Sequence, residues 1–358
     1  MRRILFLTLM SSPIAHAATL TVDTTEDIRS DDSVCSLRDA ITAANDDSAT
    51  RGCQAGSGAD TIVIPAGTYE VTEGRMDIST DIALQGDGMD QTVLDAQGLS
   101  SLFFVSADSE AFSMSGLTLS GASGGAMRIK AAGASVQDCA FRNNAGNVGA
   151  GVYFDSAGTV SVSSSVFVDN TASTSGGGLA MKDTESITLD HLYIAGNSAP
   201  LGGGIMQYGS SDASLSNTTL AYNDATSTGG AMYLNSASTL LGDHLSVVGN
   251  TSEGSPVVNF YLVATNSVFA DHDGCGGTIT ADNSVSDQAT GCTFDGTGNL
   301  NDVDVLLDAL VDNGDHTSGF ATLWGSPANG LSDCTDGDGA AVLEDQTGAT
   351  RPSTDCTA

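Results

Sequence analysis

The sequence of 358 residues predicts an all-β parallel β-helix, and three observations lead to this prediction. An apolar residue followed three positions later by asparagine recurs every 26 or 27 residues through the middle of the chain. A cluster of small residues, mostly glycine, ends seven or eight positions after each of the first four asparagines. Patterns typical of crossover helices are absent from these repeats, so short strands must fill them. Such a period indicates one supersecondary unit that stacks on copies of itself.

Residues 1–17 have the organisation of a secretory signal peptide. Arg2 and Arg3 form a charged start, Ile4 to Met10 is a short apolar stretch, and Ala15-His16-Ala17 fits a small-x-small cleavage site. The apolar stretch is too short to span a bilayer. The sequence therefore predicts an exported protein, located extracellularly or at the outer cell surface.

Residues 18–60 are predicted to form an N-terminal cap that contains one helix. The segment from Cys35 to Asn45 begins with Ser36, and Asp39 follows three residues later in the spacing of a capping box. Leu37, Ala40, Ile41 and Ala44 share one face of this helix. We expect that face to close the end of the first coil, because the open end of a solenoid must be covered.

Residues 61–300 are predicted to form the β-helix, with about nine coils of 26–27 residues. Period-2 alternation with one slip precedes each asparagine, which indicates two short strands separated by a bend. The repeated asparagines are expected to form a structural ladder with no chemical role, since their side chains can bond to the neighbouring coil. They are Asn144, Asn170, Asn197, Asn223 and Asn250.

Residues 301–358 are predicted to form a C-terminal cap held by a disulfide. Six of the seven cysteines fall into three local couples, although six cysteines allow 15 pairings in principle. Each local disulfide would close a loop of roughly 20 residues and stabilise the fold by about 3 kcal/mol. The predicted pairs are Cys35–Cys53, Cys275–Cys292 and Cys334–Cys356. The remaining Cys139 aligns with inward-facing positions of other repeats, so we expect a buried thiol.

Both ends of the chain resemble bacterial secreted β-helix proteins. Cys35 to Ala40 resembles their CSLREA motif, with Asp39 in place of the glutamate. Asp312-Asn313-Gly314, Gly325 to Ala328 and Asp345 to Pro352 resemble their choice-of-anchor Q region. The asparagine and Gly-Gly-Ala repeats are similar to those of polymorphic outer-membrane proteins. The resemblance implies a right-handed β-helix and an exported surface protein, and it implies no settled activity.

The resemblance also bears on anchoring. Proteins of this kind usually continue into a surface anchor, whereas this chain ends at Ala358. We therefore expect free secretion.

Composition excludes some classes of partner. The formal net charge is −33, which disfavours nucleic acid because phosphate binding needs a basic surface. It also disfavours docking on anionic membranes. No stretch after residue 17 is long and apolar enough to span a bilayer. We expect a monomer whose partner is a glycan or another component of a cell surface.

One outward face gathers the rare basic residues and several aromatic ones. Two adjacent rows, which the repeat alignment places on the strands after the glycine clusters, hold both lysines of the chain and three tyrosines. Aromatic rings stack on sugars, and cations pair with carboxylates, so the rows are a candidate ligand-binding face. A solvated sheet surface is the alternative interpretation. The candidate residues are Arg128, Lys130, Tyr153, Asp155, Lys182, Tyr208 and Tyr233.

Three functions are compatible with this pattern. The preferred hypothesis is a non-catalytic protein in adhesion, glycan binding or a matrix. The alternative is a polysaccharide lyase or glycoside hydrolase that acts on acidic polysaccharide, with Lys182 near Asp155 and Tyr208 as its candidate groups. A glycosidase needs two carboxylates about 5 to 9.5 Å apart, and Asp155 has no aligned acidic partner one coil away. The third hypothesis is a purely structural stalk.

The sequence predicts no cofactor, with calcium as an open alternative. Asp190-His191 and Asp243-His244 recur at one repeat position two coils apart, too far for one metal ion to bind both imidazoles. We interpret them as polar turn residues. Two loops rich in Asp and Gly are candidate Ca²⁺ sites, although neither has the full EF-hand pattern. Their candidate ligands are Asp271, Asp273, Asp336 and Asp338.

Overall fold

The chain folds as a right-handed parallel β-helix of about eight turns, which confirms the predicted fold class. A computed structural model describes residues 17–30, 33–209, 211–234, 240–254, 258–259, 262–270, 274–276, 279–287, 292, 294, 296–312, 318–322, 326–332 and 356–357. Residues 1–16 of the predicted signal peptide lie outside these ranges.

The described residues of the first half of the fold form one helix and eighteen strands. In chain order they are β1 (Thr19–Thr21), α1 (Leu37–Asn45), β2 (Asp60–Ile64), β3 (Gly67–Glu70), β4 (Met76–Ile78), β5 (Ile82–Gly86), β6 (Thr92–Asp95), β7 (Phe103–Val105), β8 (Phe112–Ser115), β9 (Thr118–Ser120), β10 (Met127–Ile129), β11 (Gly133–Gln137), β12 (Ala140–Arg142), β13 (Ala145–Val148), β14 (Val152–Asp155), β15 (Thr159–Val168), β16 (Thr171–Ser175), β17 (Leu179–Lys182) and β18 (Ser186–Ala195).

The second half continues with strands of similar length. They are β19 (Ser198–Leu201), β20 (Ile205–Tyr208), β21 (Asp212–Ala221), β22 (Asp224–Thr228), β23 (Met232–Leu234), β24 (Leu240–Val248), β25 (Thr251–Ser252), β26 (Val258–Asn259), β27 (Leu262–Thr265), β28 (Val268–Ala270), β29 (Cys275–Gly276), β30 (Ile279–Asp282), β31 (Val285–Ser286), β32 (Leu300–Asn301), β33 (Leu307–Asp312), β34 (Ser318–Thr322), β35 (Asn329–Ser332) and β36 (Cys356–Thr357).

Three parallel sheets enclose the core. The nine-stranded sheet stacks β4, β7, β10, β14, β17, β20, β23, β26 and β29, one strand from each coil. The five-stranded sheet contains β13, β16, β19, β22 and β25, and an eighteen-stranded sheet covers the remaining sides. Near the C-terminus, β33 with β34 and β35 with β36 form two antiparallel pairs.

Left-handed backbone positions produce the bends within each coil. β15, β18, β21 and β24 each contain one residue with positive φ, namely Ser164 at 47°, His191 at 53°, Asn217 at 46° and His244 at 52°. In each strand this left-handed residue turns the backbone, so the residues after it face the opposite side from the one that the alternation would give them. The bend therefore accounts for the predicted slip in the period-2 alternation. The two Asp-His dipeptides therefore lie at equivalent bends.

The five repeated asparagines form a buried hydrogen-bonded ladder. The Oδ1 atom of Asn197 accepts from the backbone N–H of Asn170 at 3.0 Å and from its Nδ2 at 2.9 Å. The same pattern links Asn144 to Asn170, Asn197 to Asn223 and Asn223 to Asn250. All five residues are at most 1% exposed. Each ladder step satisfies a backbone group that no β-strand partner reaches.

Aromatic and thiol side chains stack along the inside of the coils. The rings of Phe141 and Phe167 in consecutive coils are stacked with centroids 4.9 Å apart. Cys139 is fully buried, and its burial raises the thiol pKa to about 12. The thiol therefore stays protonated at neutral pH and is shielded from reagents.

The single described helix, α1, covers the N-terminal end of the coils. Its N-cap Ser36 accepts from the backbone N–H of Asp39 at 3.2 Å and donates to that carboxylate at 2.8 Å. The apolar face is buried against β1, β2 and β4. A disulfide between Cys35 and Cys53, as predicted, ties the helix start to the following loop.

The coils become shorter toward the C-terminus. Hydrogen-bonded partners in successive coils are 26 or 27 residues apart along the ladder, 22 between Leu245 and Ser267, and 17 between Ser267 and Ser284. The five-stranded sheet ends at β25, and among the described residues the later coils have no strand on that side. The predicted Cys275–Cys292 disulfide lies here. The predicted Cys334–Cys356 pair involves a residue outside the described ranges.

Candidate functional site

The outer surface of the nine-stranded sheet brings most of the predicted site residues together. In-register pairing aligns Arg128 with Tyr153 in one row, which continues through Ala180 and Met206 to Tyr233. The adjacent row contains Asp155, Lys182 and Tyr208. We call this surface the cationic face; it comprises Arg75, Asp77, Phe104, Arg128, Lys130, Tyr153, Asp155, Lys182, Tyr208 and Tyr233.

The cationic face differs in charge from the rest of the chain. Four of the 11 basic residues lie on or next to its strands, namely Arg75, Arg128, Lys130 and Lys182. Counted in the same way, three carboxylates lie there, namely Asp77, Asp155 and Asp183. The face therefore has an excess of positive charge, although the whole chain has a net charge of −33.

Asp155 is a buried counter-ion for two of these cations. Its Oδ2 atom accepts from Nε of Arg128 at 3.1 Å, forms an ion pair with the Nη2 atom of the same guanidinium, and lies 3.3 Å from Nζ of Lys130. Burial by itself raises the pKa of Asp155, but the bonds from Arg128 and then Lys130 outweigh it and hold the pKa below its usual range. Asp155 is thus an ionised positioning group, poorly suited to accept a proton.

The carboxylates of the face do not form a glycosidase pair. Asp77 lies in the row of Phe104, Arg128 and Tyr153, three coils before the strand of Asp155. Three coils correspond to roughly 14 Å at the usual strand spacing. This separation exceeds the about 5 to 9.5 Å that retaining and inverting glycosidases use.

A tyrosine bridge crosses one coil of the face. The hydroxyl groups of Tyr153 and Tyr208 are 2.8 Å apart, although their strands are separated by β17. The intervening Ala180 is small and fully buried, which leaves room for the Tyr153 ring to lean across it. Burial, and then the bond to Tyr208, raise the pKa of Tyr153 well above its usual range. The Tyr153 ring is therefore held as a fixed neutral surface.

Three cations lie over three aromatic rings. The Arg75 guanidinium carbon is 4.9 Å from the Phe104 ring centroid, that of Arg128 is 5.3 Å from Tyr153, and Nζ of Lys182 is 5.8 Å from Tyr208. These distances are within the range of cation–π attraction. The sequence prediction did not include Arg75 and Phe104, because the first coils depart from the regular repeat that produced the alignment.

A groove opens between the first two of these pairs. Its volume is about 220 Å³, and Arg75, Ser101, Arg128, Asn147 and Tyr153 contribute to its walls. Gly124 also lines it, and a Cβ atom there would lie 2.6 Å from Oγ of Ser101. The groove is small and polar, and its two arginines suit an anionic ligand group.

The Asp-His dipeptides lie on another surface and form separate networks. Nδ1 of His191 is 2.6 Å from Oδ2 of Asp190. The other carboxylate oxygen of Asp190, Oδ1, accepts a hydrogen bond from Nδ2 of Asn217 at 3.1 Å. Nδ1 of His244 is 2.9 Å from Oδ2 of Asp243. Burial raises the pKa of each aspartate, but bonds led by the adjacent histidine lower it overall. The arrangement fits bend stabilisation.

Asp271, Asp273, Asp336 and Asp338, the candidate Ca²⁺ ligands, lie outside the described residues. Within the described ranges, no three His, Cys, Asp or Glu side chains are grouped so that they could hold a metal ion. In the same part of the chain no helix has the length and apolar character needed to cross a membrane.

Comparisons with solved structures concern the fold. The crystal structure of pectate lyase Pel9A is similar over 95% of this chain and 98% of its own, with 12% identity and a TM-score of 0.50. A PL6 alginate lyase in complex with a trisaccharide is similar over 64% of this chain and 58% of its own, with 14% identity and a TM-score of 0.30. At such identities the likeness shows the fold alone.

Sequence comparisons identify the family. No curated protein matches the chain. The family model described as a right-handed β-helix region matches residues 102–304, which is more than half of the sequence. The chain therefore belongs to the right-handed β-helix family.

Proposed function

We propose that this chain is an exported β-helix protein that binds a glycan on its cationic face without cleaving it. The observation that carries the proposal is the gathering of Arg75, Arg128, Lys130 and Lys182 beside aromatic rings on one face of an acidic protein. Rings offer stacking surfaces for sugars, and the cations offer charge-assisted hydrogen bonds to acidic groups. Disulfides such as Cys35–Cys53 support an oxidising compartment and hence export.

The groups on the face favour binding over catalysis. Asp155 is occupied by two cations, and Asp77 is three coils away, so neither an acid–base pair nor a free carboxylate base is present among the described residues of the face. Tyr153 is held neutral by burial and by its bond to Tyr208. These groups orient and attract a ligand, and they do not supply proton transfer.

Lys182 supports a second candidate, a polysaccharide lyase. Its ammonium lies over the Tyr208 ring, and no carboxylate forms an ion pair with it among the described residues. A lysine in that position could serve as the base that removes a proton beside a uronate carboxylate. Pectate lyase Pel9A has the same fold, which is consistent with this candidate but does not distinguish it from binding.

A combined binding and cleavage assay distinguishes these functions from the third, a structural stalk. The full chain is incubated with alginate, polygalacturonate and glycosaminoglycans, with and without Ca²⁺, while unsaturated products and new reducing ends are followed. We expect binding that Lys182→Ala and Tyr208→Ala weaken, with no product. The matched control is Arg142→Ala. Arg142 is also an arginine on a strand, but it lies in β12 of the eighteen-stranded sheet and so outside the cationic face.

Two outcomes contradict the proposal. Product formation that Lys182→Ala abolishes would establish the lyase. If the chain neither binds nor cleaves any of these glycans, the third hypothesis, a purely structural stalk, is favoured.

A further inference from the structure

The cation–ring pairs of the cationic face recur with a period of two coils. Cations lie at or next to β4, β10 and β17, whereas the rings beneath them come from β7, β14 and β20. These six strands are consecutive in the nine-stranded sheet. The face therefore alternates between a charged coil and an aromatic coil.

The period sets a distance between charges. Two coils advance about 9.5 Å along the axis, which is twice the usual spacing of strands. Lys182 also lies two positions further along its strand than the row of Arg128, Tyr153 and Ala180. That offset adds about 7 Å along the strand direction. The line through Arg75, Arg128 and Lys182, which we call the cation path, is therefore oblique to the axis, and neighbouring cations on it are roughly 10–12 Å apart.

In both arginines the Nη1 edge of the guanidinium group is available to a ligand. Arg75 uses Nε and Nη2 to bind Asp77, and Arg128 uses the same two atoms to bind Asp155. Neither guanidinium has a hydrogen bond from Nη1 within the described part of the chain, and the two side chains are 47% and 49% exposed. Since guanidinium has five N–H donors, each arginine can still bind an external anion.

The aromatic coils disfavour a second set of anions between the cations. The face of an aromatic ring is the negative end of its quadrupole, so an anion over Phe104, Tyr153 or Tyr208 gains nothing from the ring. The coil of Tyr153 also carries the ionised Asp155. An uncharged sugar ring, in contrast, can pack against the exposed part of each half-buried ring that its cation leaves uncovered.

We propose that the cationic face binds a linear polysaccharide that carries one anionic group per disaccharide and runs obliquely across successive coils. A disaccharide unit of an extended polysaccharide has about the length of one cation-to-cation step, whereas one sugar unit has about half of it. Charged sugars then meet Arg75, Arg128 and Lys182, and the intervening uncharged sugars pack beside them against the exposed parts of the rings. The inference rests on the proposed glycan-binding function and specifies its ligand.

The test compares ligands that share a backbone and differ in charge period. Hexasaccharides of chondroitin carry one carboxylate per disaccharide, those of chondroitin sulfate carry a further sulfate on the alternate sugar, and carboxyl-reduced chondroitin is neutral. Binding to the full chain is measured by titration calorimetry. We expect chondroitin to bind at least 10-fold more tightly than either of the other two, with affinity rising from disaccharide to hexasaccharide and then levelling off.

Variants locate the ends of the path. Arg75→Gln is expected to reduce hexasaccharide affinity to that of the tetrasaccharide, while tetrasaccharide affinity falls by no more than about twofold because Arg128 and Lys182 still bind it. Arg142→Gln serves as the matched control and should leave both unchanged, and circular dichroism verifies that each variant folds. Arg75 is half-exposed, so its loss should not affect the core.

The outcomes separate the two proposals. Equal or tighter binding of chondroitin sulfate, or an unchanged hexasaccharide affinity in Arg75→Gln, would overturn the two-coil period while glycan binding stands. If none of these glycans nor those of the first assay binds, glycan binding itself fails.

Discussion

Replacing Asn197 by alanine is expected to destabilise the fold by about 4 kcal/mol. The Nδ2 atom of Asn197 donates to the Phe167 carbonyl at 2.8 Å and to Oδ1 of Asn223 at 2.9 Å. Its Oδ1 atom accepts two bonds from Asn170. The residue is fully buried, so water does not replace these partners freely. Four lost hydrogen bonds at roughly 1 kcal/mol each give this estimate.

Equilibrium unfolding in urea, followed by far-ultraviolet circular dichroism, measures the effect. The matched control is Asn147→Ala: Asn147 is exposed and accepts bonds from Ser173 and Thr174, which water can replace. We expect less than about 1 kcal/mol for this control. If Asn197→Ala costs no more than Asn147→Ala, the ladder is not a source of stability and the reasoning is refuted.

Three further predictions follow from burial and ion pairing. Replacing Cys35 and Cys53 together by serine should lower the free energy of unfolding by about 3 kcal/mol, since a loop of 18 residues is no longer closed in the unfolded chain; unfolding of the oxidised and double-variant proteins in urea checks this. Asp155→Asn should destabilise most at pH values above the ordinary aspartate pKa of 3.8, and the loss should shrink as pH falls below it, because the lowered pKa stabilises the ionised folded form; a pH-independent loss would contradict the ion-pair explanation. Cys139 should react with iodoacetamide at neutral pH only after denaturant is added, and fast labelling of the native protein would show that the thiol is accessible.

The regular middle of the chain made most of the fold predictable. The 26–27-residue period identified the ladder asparagines, the bends and the inward position of Cys139. The capping box of Ser36 and Asp39 identified the helix that closes the first coil. These features depend on local backbone geometry that repeats with the sequence, so pattern analysis could find them.

The contacts of the candidate site depend on geometry that no pattern contains. Alignment placed Arg128 and Tyr153 in one row, but the bond between Tyr153 and Tyr208 depends on the small Ala180 beneath it. Arg75 belongs to coils whose lengths vary: Asn144 reaches back 22 residues to Ala122, whereas later ladder steps take 26 or 27. A fixed period could therefore not align the first charged coil with the others.

The in-register stacking of the coils makes the length of the cationic face independent of its chemistry. Each strand of the nine-stranded sheet pairs only with the strands of the preceding and following coils. Duplicating or deleting two coils in a gene would thus add or remove one cation–ring unit, with the remaining core and the helix α1 left in place. If the face binds a polysaccharide as proposed, the number of bound sugars would change in steps of two coils when coils are gained or lost.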